Sequence, residues 1–168
     1  MKIRGIEYSD CKELYEWRND PVTKSMSKDS NNFSYESHCD WFKKSISDPK
    51  IDFFIGEFNH GNIGVCRFDY DLFSNESKIS LIINPKFRNK GFGKELLLKS
   101  IKIFRKTHDC NLKAIVKIKN NRSRILFSNS GFYISSKNRN FFTMKYIENL
   151  SYKKVDINDT EILYRLLK

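Results

Sequence analysis

Apolar residues recur along this chain with two different periods, and each change of period marks out an element. Ile3 and Ile6 suggest a short first strand over Lys2 to Glu7. Leu14 and Trp17 then share one face of a helix from Cys11 to Arg18, with Asp10 and Glu13 at capping-box spacing before it. Asn19-Asp20-Pro21 ends that helix, because proline disfavours helical backbone in the residue before it. Val22 to Phe33 has no period and reads as a loop with one helical turn. A second helix begins after Ser34, buries Phe42 and Ile46, and stops at Asp48-Pro49. Three β-rich runs follow, Ile51 to Phe58, Asn62 to Tyr70 and Lys78 to Ile83. The Asn59-His60-Gly61 turn between the first two predicts a hairpin, and all three predict an antiparallel meander.

Asn84-Pro85 closes the third run and leads into a basic glycine loop. The spacing of Leu97, Ile101 and Phe104 predicts a helix over Gly91 to Lys106. Leu112 to Ile118 alternates as a strand does, so the order strand, helix, strand requires a right-handed parallel crossover between neighbouring strands. Asn120 to Asn129 is a further helix, stopped at Ser130-Gly131. Phe132 to Ser135 and Phe141 to Ile147 form a closing antiparallel pair. The pattern therefore gives one domain over 1–147 and an extension over 148–168. In the extension, Asn158 and Glu161 precede Ile162, Leu163, Leu166 and Leu167, an amphipathic helix suited to docking on this domain or on a second subunit of a homodimer.

The glycine loop carries the candidate chemistry. A strand that runs through glycines into a helix leaves first-turn amides without acceptors at the positive end of the helix dipole. Gly91 and Gly93 remove side chains that would hold a phosphate off the backbone, and Arg88, Lys90 and Lys94 surround the spot with cations. The dinucleotide fingerprint fails, since Leu96 stands where its third glycine belongs. The P-loop fails too, because Glu95 replaces the magnesium-holding Ser or Thr.

Composition changes this picture only at its edges. An apolar share of 39% with 14% aromatics fits a folded domain. No run approaches the roughly 18 apolar residues of a membrane span, and Met1-Lys2-Ile3-Arg4-Gly5 turns polar by Glu7, so the expectation is a cytoplasmic protein. Cys11, Cys39, Cys66 and Cys110 are widely spaced and read as free thiols rather than a zinc site. The net charge of +11 is spread along the chain, which favours an anionic cofactor over nucleic acid or a membrane as partner.

Two motifs carry a family resemblance. Arg88-Asn89-Lys90-Gly91-Phe92-Gly93 resembles motif A of the GNAT acetyltransferase superfamily, Arg/Gln-x-x-Gly-x-Gly/Ala. Asn120-Asn121-Arg122-Ser123-Arg124-Ile125-Leu126-Phe127-Ser128-Asn129-Ser130-Gly131-Phe132 resembles the second signature, Asn-x-x-Ala/Ser-x-x-Leu-Tyr-x-x-x-Gly-Phe. The resemblance implies an α/β (α+β) fold: a mixed, mostly antiparallel sheet of six or seven strands, helices on both faces, and a parallel pair splayed at the cofactor. It implies acetyl-coenzyme A as cosubstrate and no metal. Backbone groups of Leu81, Ile82 and Ile83 would line the pantetheine arm and acetyl carbonyl. Arg88, Asn89, Lys90, Gly91, Phe92, Gly93 and Lys94 would hold the pyrophosphate, and Asn120 the pantetheine. A neutral amine would attack the thioester directly, with a strand N–H stabilising the oxyanion.

Two positions depart from the pattern. Phe127, also at the cofactor, has no hydroxyl where many relatives carry a Tyr, so Tyr133 becomes a candidate acid. Lys78 stands where many relatives carry Glu, which leaves Glu57, Asp69, Tyr70 and His38 as candidate bases by type. Tyr15-Glu16-Trp17-Arg18-Asn19-Asp20-Pro21 and Ser37-His38-Cys39-Asp40-Trp41-Phe42 resemble bacterial members acting on nucleotide-linked amino sugars, notably in pseudaminic-acid synthesis, and ribosomal-protein N-terminal acetyltransferases. That places Trp17, Arg18, Asn19, His38 and Trp41 around the acceptor by charge, hydrogen bonding and stacking, although Trp17 also reads as a core anchor. The leading expectation is a small-molecule amino-sugar substrate. The alternatives are N-terminal acetylation of proteins and a silent domain that only binds coenzyme A.

Overall fold

A computed structural model describes residues 1–29, 31 and 33–148. The amphipathic helix expected over Asn158 to Leu167 lies outside the described residues. Seven strands form one sheet in the order β1-β2-β3-β4-β5-β7-β6. In chain order they are β1 (Lys2–Gly5), β2 (Ile51–Phe58), β3 (Gly61–Asp71), β4 (Glu76–Ile83), β5 (Asn111–Lys117), β6 (Phe132–Lys137) and β7 (Phe141–Tyr146). All neighbours are antiparallel except β4 and β5, the pair joined through a helix. The meander, the crossover and the closing pair follow the apolar alternation.

Strand alternation sends the core to both faces. On one face, Cys66 and Phe68 of β3 meet Leu97, Ile101 and Phe104 of α4 (Phe92–Phe104), and the rings of Phe68 and Phe104 stack at 4.3 Å. The helix α5 (Asn121–Ser128) adds Phe127 to this cluster. On the other face, Phe53, Ile55 and Val65 meet Leu14 and Trp17 of α1 (Cys11–Asn19) and Phe42 of α3 (Tyr35–Ile46). Cys66 and Cys110 are buried free thiols, while Cys11 and Cys39 are half-buried, with Sγ atoms 3.4 Å apart between α1 and α3.

Two local expectations change. Asp10 does not cap α1; its carboxylate takes both Nη atoms of Arg4, at 2.7 and 2.8 Å, and the Glu7 N–H at 2.8 Å. A fork of charge-assisted bonds outcompetes one capping bond. The helical turn expected within the loop is α2 (Pro21–Met26), which starts one residue earlier than that stretch because Asp20 accepts from the Thr23 N–H at 2.9 Å and Pro21 occupies the first turn. Proline suits that position, where its missing donor costs nothing. At six residues, α2 is too short to show a period.

Candidate active site

The parallel pair parts halfway along. β4 and β5 are in register only from Glu76 and Asn111 to Ile79 and Ala114, and both strands run on past that point. Asn84 donates its N–H to the Ile63 carbonyl at 2.9 Å, across to β3. Hydrogen-bonding direction alternates along a strand, so Ile82 also faces β3, and Leu81 and Ile83 turn their N–H and C=O groups into the opening. The result is an unpaired strand edge at the mouth of a wedge.

The loop below the wedge is pinned at both arms. Asn84 is buried, donates to the Asn62 carbonyl at 2.8 Å and accepts from the Lys86 N–H at 3.1 Å. Arg88 reaches back to α2, with one Nη 2.6 Å from both Asp20 Oδ1 and Thr23 Oγ1. Burial would raise the Asp20 carboxyl, but the bonds from Arg88 and Thr23 together hold it below the usual carboxylate range. Arg88 is thus already engaged as a strut, while Lys90 and Lys94 stay exposed and without an ion pair among the described residues. Asn89 and Gly91 are both left-handed, at φ 63° and 82°, and no side chain caps α4 where Ser34 and Asn120 cap α3 and α5. Consecutive amides in such a turn form a concave anion cradle.

The two glycines have different reasons to be there. At Gly91 an added Cβ would meet open space, but the positive φ strains any other residue. At Gly93 a Cβ would sit 2.5 Å from Leu126 Cδ1, so this glycine lets α4 pack closely on α5. Gly93→Val should therefore lower stability by about 1–3 kcal/mol through overpacking. Gly91→Val should stay folded, at a strain cost of about 1–2 kcal/mol, and lose coenzyme A affinity. Thermal melts with a coenzyme A titration separate the two, and wild-type affinity in a folded Gly91→Val protein would remove the cradle assignment.

On the α1 and α3 face of β4 lies a cavity of ≈ 80 Å³ lined by Arg18, His38, Trp41, Arg67, Ser80 and Ile82, among others. Arg18 stands over the rings of Phe33 at 4.7 Å and Trp41 at 5.5 Å, and Arg67 over Trp41 at 5.1 Å and Phe53 at 5.3 Å. Arg67 pairs with Asp69, which Lys78 also approaches at 3.3 Å. Arg18 makes neither a hydrogen bond nor an ion pair among the described residues. Burial first, and the nearby Arg67 charge after it, lower the Arg18 pKa against a counteracting pull from Asp29. A half-buried guanidinium with free donors facing a cavity is an anion receptor in waiting.

His38 is 3% exposed, and its Nε2 lies 3.1 Å from the Cys11 carbonyl. That geometry requires Nε2–H as donor, which leaves Nδ1 with the lone pair. Burial and the Arg18 charge hold His38 below its ordinary 6.5 despite the hydrogen bond to Cys11. Because the folded value lies under the unfolded one, its stabilising contribution is complete above 6.5 and is lost as pH falls through the folded value. Melting temperature should decline as pH falls from 6.5 toward the folded value, and more steeply in wild type than in His38→Gln. Equal slopes would assign the decline to other groups.

The remaining sequence candidates separate cleanly. Trp17 is 3% exposed inside the second core cluster, so it anchors α1 on the sheet. Asn19 donates to the Tyr15 carbonyl within its own helix at 3.1 Å. Glu57 accepts Arg4 Nε at 2.8 Å and Tyr70 donates to Asn75 at 3.0 Å, so neither is a free base. Tyr133 lies on the edge strand β6, three strand spacings or about 14 Å from β4. Asn120 caps α5 through the Ser123 N–H, and Phe127 is buried against Phe132. Arg67 and Ser80 join the site without having been expected there. Arg67 lies two residues from buried Val65 on the same strand face, and a charge in an inward position is the available signal.

A wedge with free strand edges stands above an uncapped glycine cradle, an arrangement suited to an extended ligand with an anionic end. Residues 1–133 match the family model for the acetyltransferase (GNAT) domain, and the chain belongs to that family. It is an acetyl-coenzyme A-dependent N-acetyltransferase. Among solved structures it is similar to spermidine N-acetyltransferase from Vibrio cholerae in complex with CoA and spermine, at 16% identity and a TM-score of 0.77, over 86% of this chain and 93% of that one. A point mutant of the Vibrio cholerae enzyme gives 17% identity and a TM-score of 0.74 over 88% and 95%. At such identity the likeness is one of fold. None of the curated proteins matches the chain. No helix among the described residues is long and apolar enough to cross a membrane.

Proposed function

We propose that this acetyltransferase acts on an amine whose carrier bears negative charge, best matched by a nucleotide-linked amino sugar. The observation that carries this reading is Arg18, half-buried between Phe33 and Trp41, facing the cavity with no ionic partner among the described residues. A polyamine such as spermidine would instead bring further positive charge toward Arg18 and Arg67, with the nearby Asp69 already engaged by Arg67 and Lys78. Like charges in a part-desolvated site repel strongly.

The residues divide the work. Acetyl-coenzyme A supplies the activated thioester; the Gly91 cradle with Lys90 and Lys94 would hold its pyrophosphate, and Leu81 and Ile83 its amide-bearing arm. Arg18 and Trp41 would seat the anionic, planar part of the acceptor. The two guanidinium groups also disfavour the ammonium form of a nearby amine, which favours the nucleophile. His38, neutral with Nδ1 unprotonated, is the candidate to receive the remaining proton. An N–H of Leu81 or Ile83 would face the developing oxyanion.

A thiol-release assay with acetyl-coenzyme A tests the reading. Saturable release with nucleotide-linked amino sugars is expected. Release with N-terminal peptides alone would overturn the acceptor assignment, and cofactor binding without release for any amine would identify a silent module.

A further inference from the structure

A second basic concavity lies at the end of β5, and its lining shares no residue with the glycine cradle or with the cavity around Arg18. Lys117 and Lys119 at the end of β5, Lys28 after α2, and Arg139 in the turn between β6 and β7 surround a groove of ≈ 570 Å³. Its walls are fastened together. Lys117 Nζ donates to the Ser25 carbonyl at 3.1 Å, joining β5 to the end of α2. The Ile118 N–H donates to the Asn140 carbonyl at 2.9 Å, and Asn138 Oδ1 accepts from the N–H groups of Asn140 and Phe141 at 2.9 and 2.8 Å, stiffening the turn.

Among the described residues no carboxylate lines the groove, and none of its four cations has an ion pair. The contrast with the same strands a few residues away is direct: Lys113 of β5 and Lys145 of β7 both reach Glu76. Four like charges held around one opening repel each other unless an anion joins them. The segment from Ser25 to Asp29 touches both sites, since Lys28 lines the groove, Ser25 holds Lys117, and Asp29 acts on Arg18.

We propose that this groove binds the nucleoside end of the acceptor's diphosphate, whose sugar-side phosphate Arg18 takes in its own cavity beside Trp41. The inference rests on the reading of the acceptor as a nucleotide-linked amino sugar. Two close phosphates match the charge and spacing that several convergent Lys and Arg donors supply, and no covalent step is involved.

Uridine diphosphate binding to protein saturated with coenzyme A, which fills the cofactor's own phosphate site, provides the direct measurement. The single variants Lys119→Glu and Arg139→Glu, both at exposed positions, should weaken that binding about 10-fold each, the size of one charge-assisted hydrogen bond. They should raise KM for a nucleotide-linked amino sugar equally and leave KM for the free amino sugar unchanged. Lys106→Glu, an exposed change of the same charge beyond the far end of α4, should change neither. Unaltered uridine diphosphate binding in both groove variants overturns the proposal. So does a loss of affinity for coenzyme A that dephospho-coenzyme A does not share, because the groove would then serve the cofactor's 3′-phosphate. Wild-type protein that binds uridine diphosphate in this groove yet acetylates no nucleotide-linked sugar would retain the groove and discard the acceptor reading.

Discussion

Trp17→Ala should cost about 3–5 kcal/mol of folding stability, the usual range for emptying a buried aromatic site. The indole is packed with Leu14, Phe42, Phe53, Ile55 and Val65, where α1 and α3 close over the sheet. Against a typical net stability of about 5–15 kcal/mol, that is a large fraction. For a chain of this size the melting temperature should fall roughly 6–20 °C. Trp17→Phe refills part of the volume and should recover part of the loss. Coenzyme A should still bind the folded fraction, since the cradle stands on β4 and α4. An unchanged melting point with a raised acceptor KM would return Trp17 to the acceptor site.

Arg18→Gln should give the opposite signature. The side chain has no hydrogen bond or ion pair among the described residues, and its charge is part-desolvated. Removing that charge should leave stability equal or slightly higher, as happens when a functional group is held in an unfavourable place. A charge-assisted hydrogen bond in a part-buried site is worth about 1.5–3 kcal/mol, so its removal should raise KM for an anionic acceptor roughly 10- to 100-fold. Coenzyme A affinity should not move. Melts and steady-state kinetics with both substrates varied decide the matter, and an unchanged acceptor KM would sink the receptor role.

These two neighbours illustrate what a sequence can and cannot yield. Period and residue type place Trp17 and Arg18 on one helix, yet a tryptophan looks the same whether it fills a core or stacks on a ligand. Only the packing of Phe42 and Phe53 around it separates the two. The strands from β2 to β5 are legible because alternation survives in each, and the crossover rule then forces β4 beside β5. Where their pairing stops is set by backbone divergence after Ile79, which leaves no trace in residue type. The turn expected after Pro21 could not be placed from periodicity, because the cause of α2 is a local cap at Asp20 rather than a repeating face. The glycine loop is legible as a helix start, but a partner of Arg88 lies 65 residues upstream in Thr23, beyond the reach of any local pattern. Spacing also cannot show Leu126 across the helix interface, which gives Gly93 a packing reason to be glycine.

The central claim is that this acetyltransferase selects an acceptor by negative charge. A competition in one vessel tests it most directly: limiting acetyl-coenzyme A, equal amounts of a nucleotide-linked amino sugar and spermidine, and products resolved by mass. Acetyl should go predominantly to the nucleotide-linked sugar, and raised salt should erode that preference by screening the Arg18 region. Transfer predominantly to spermidine, with the sugar nucleotide untouched, would contradict the account.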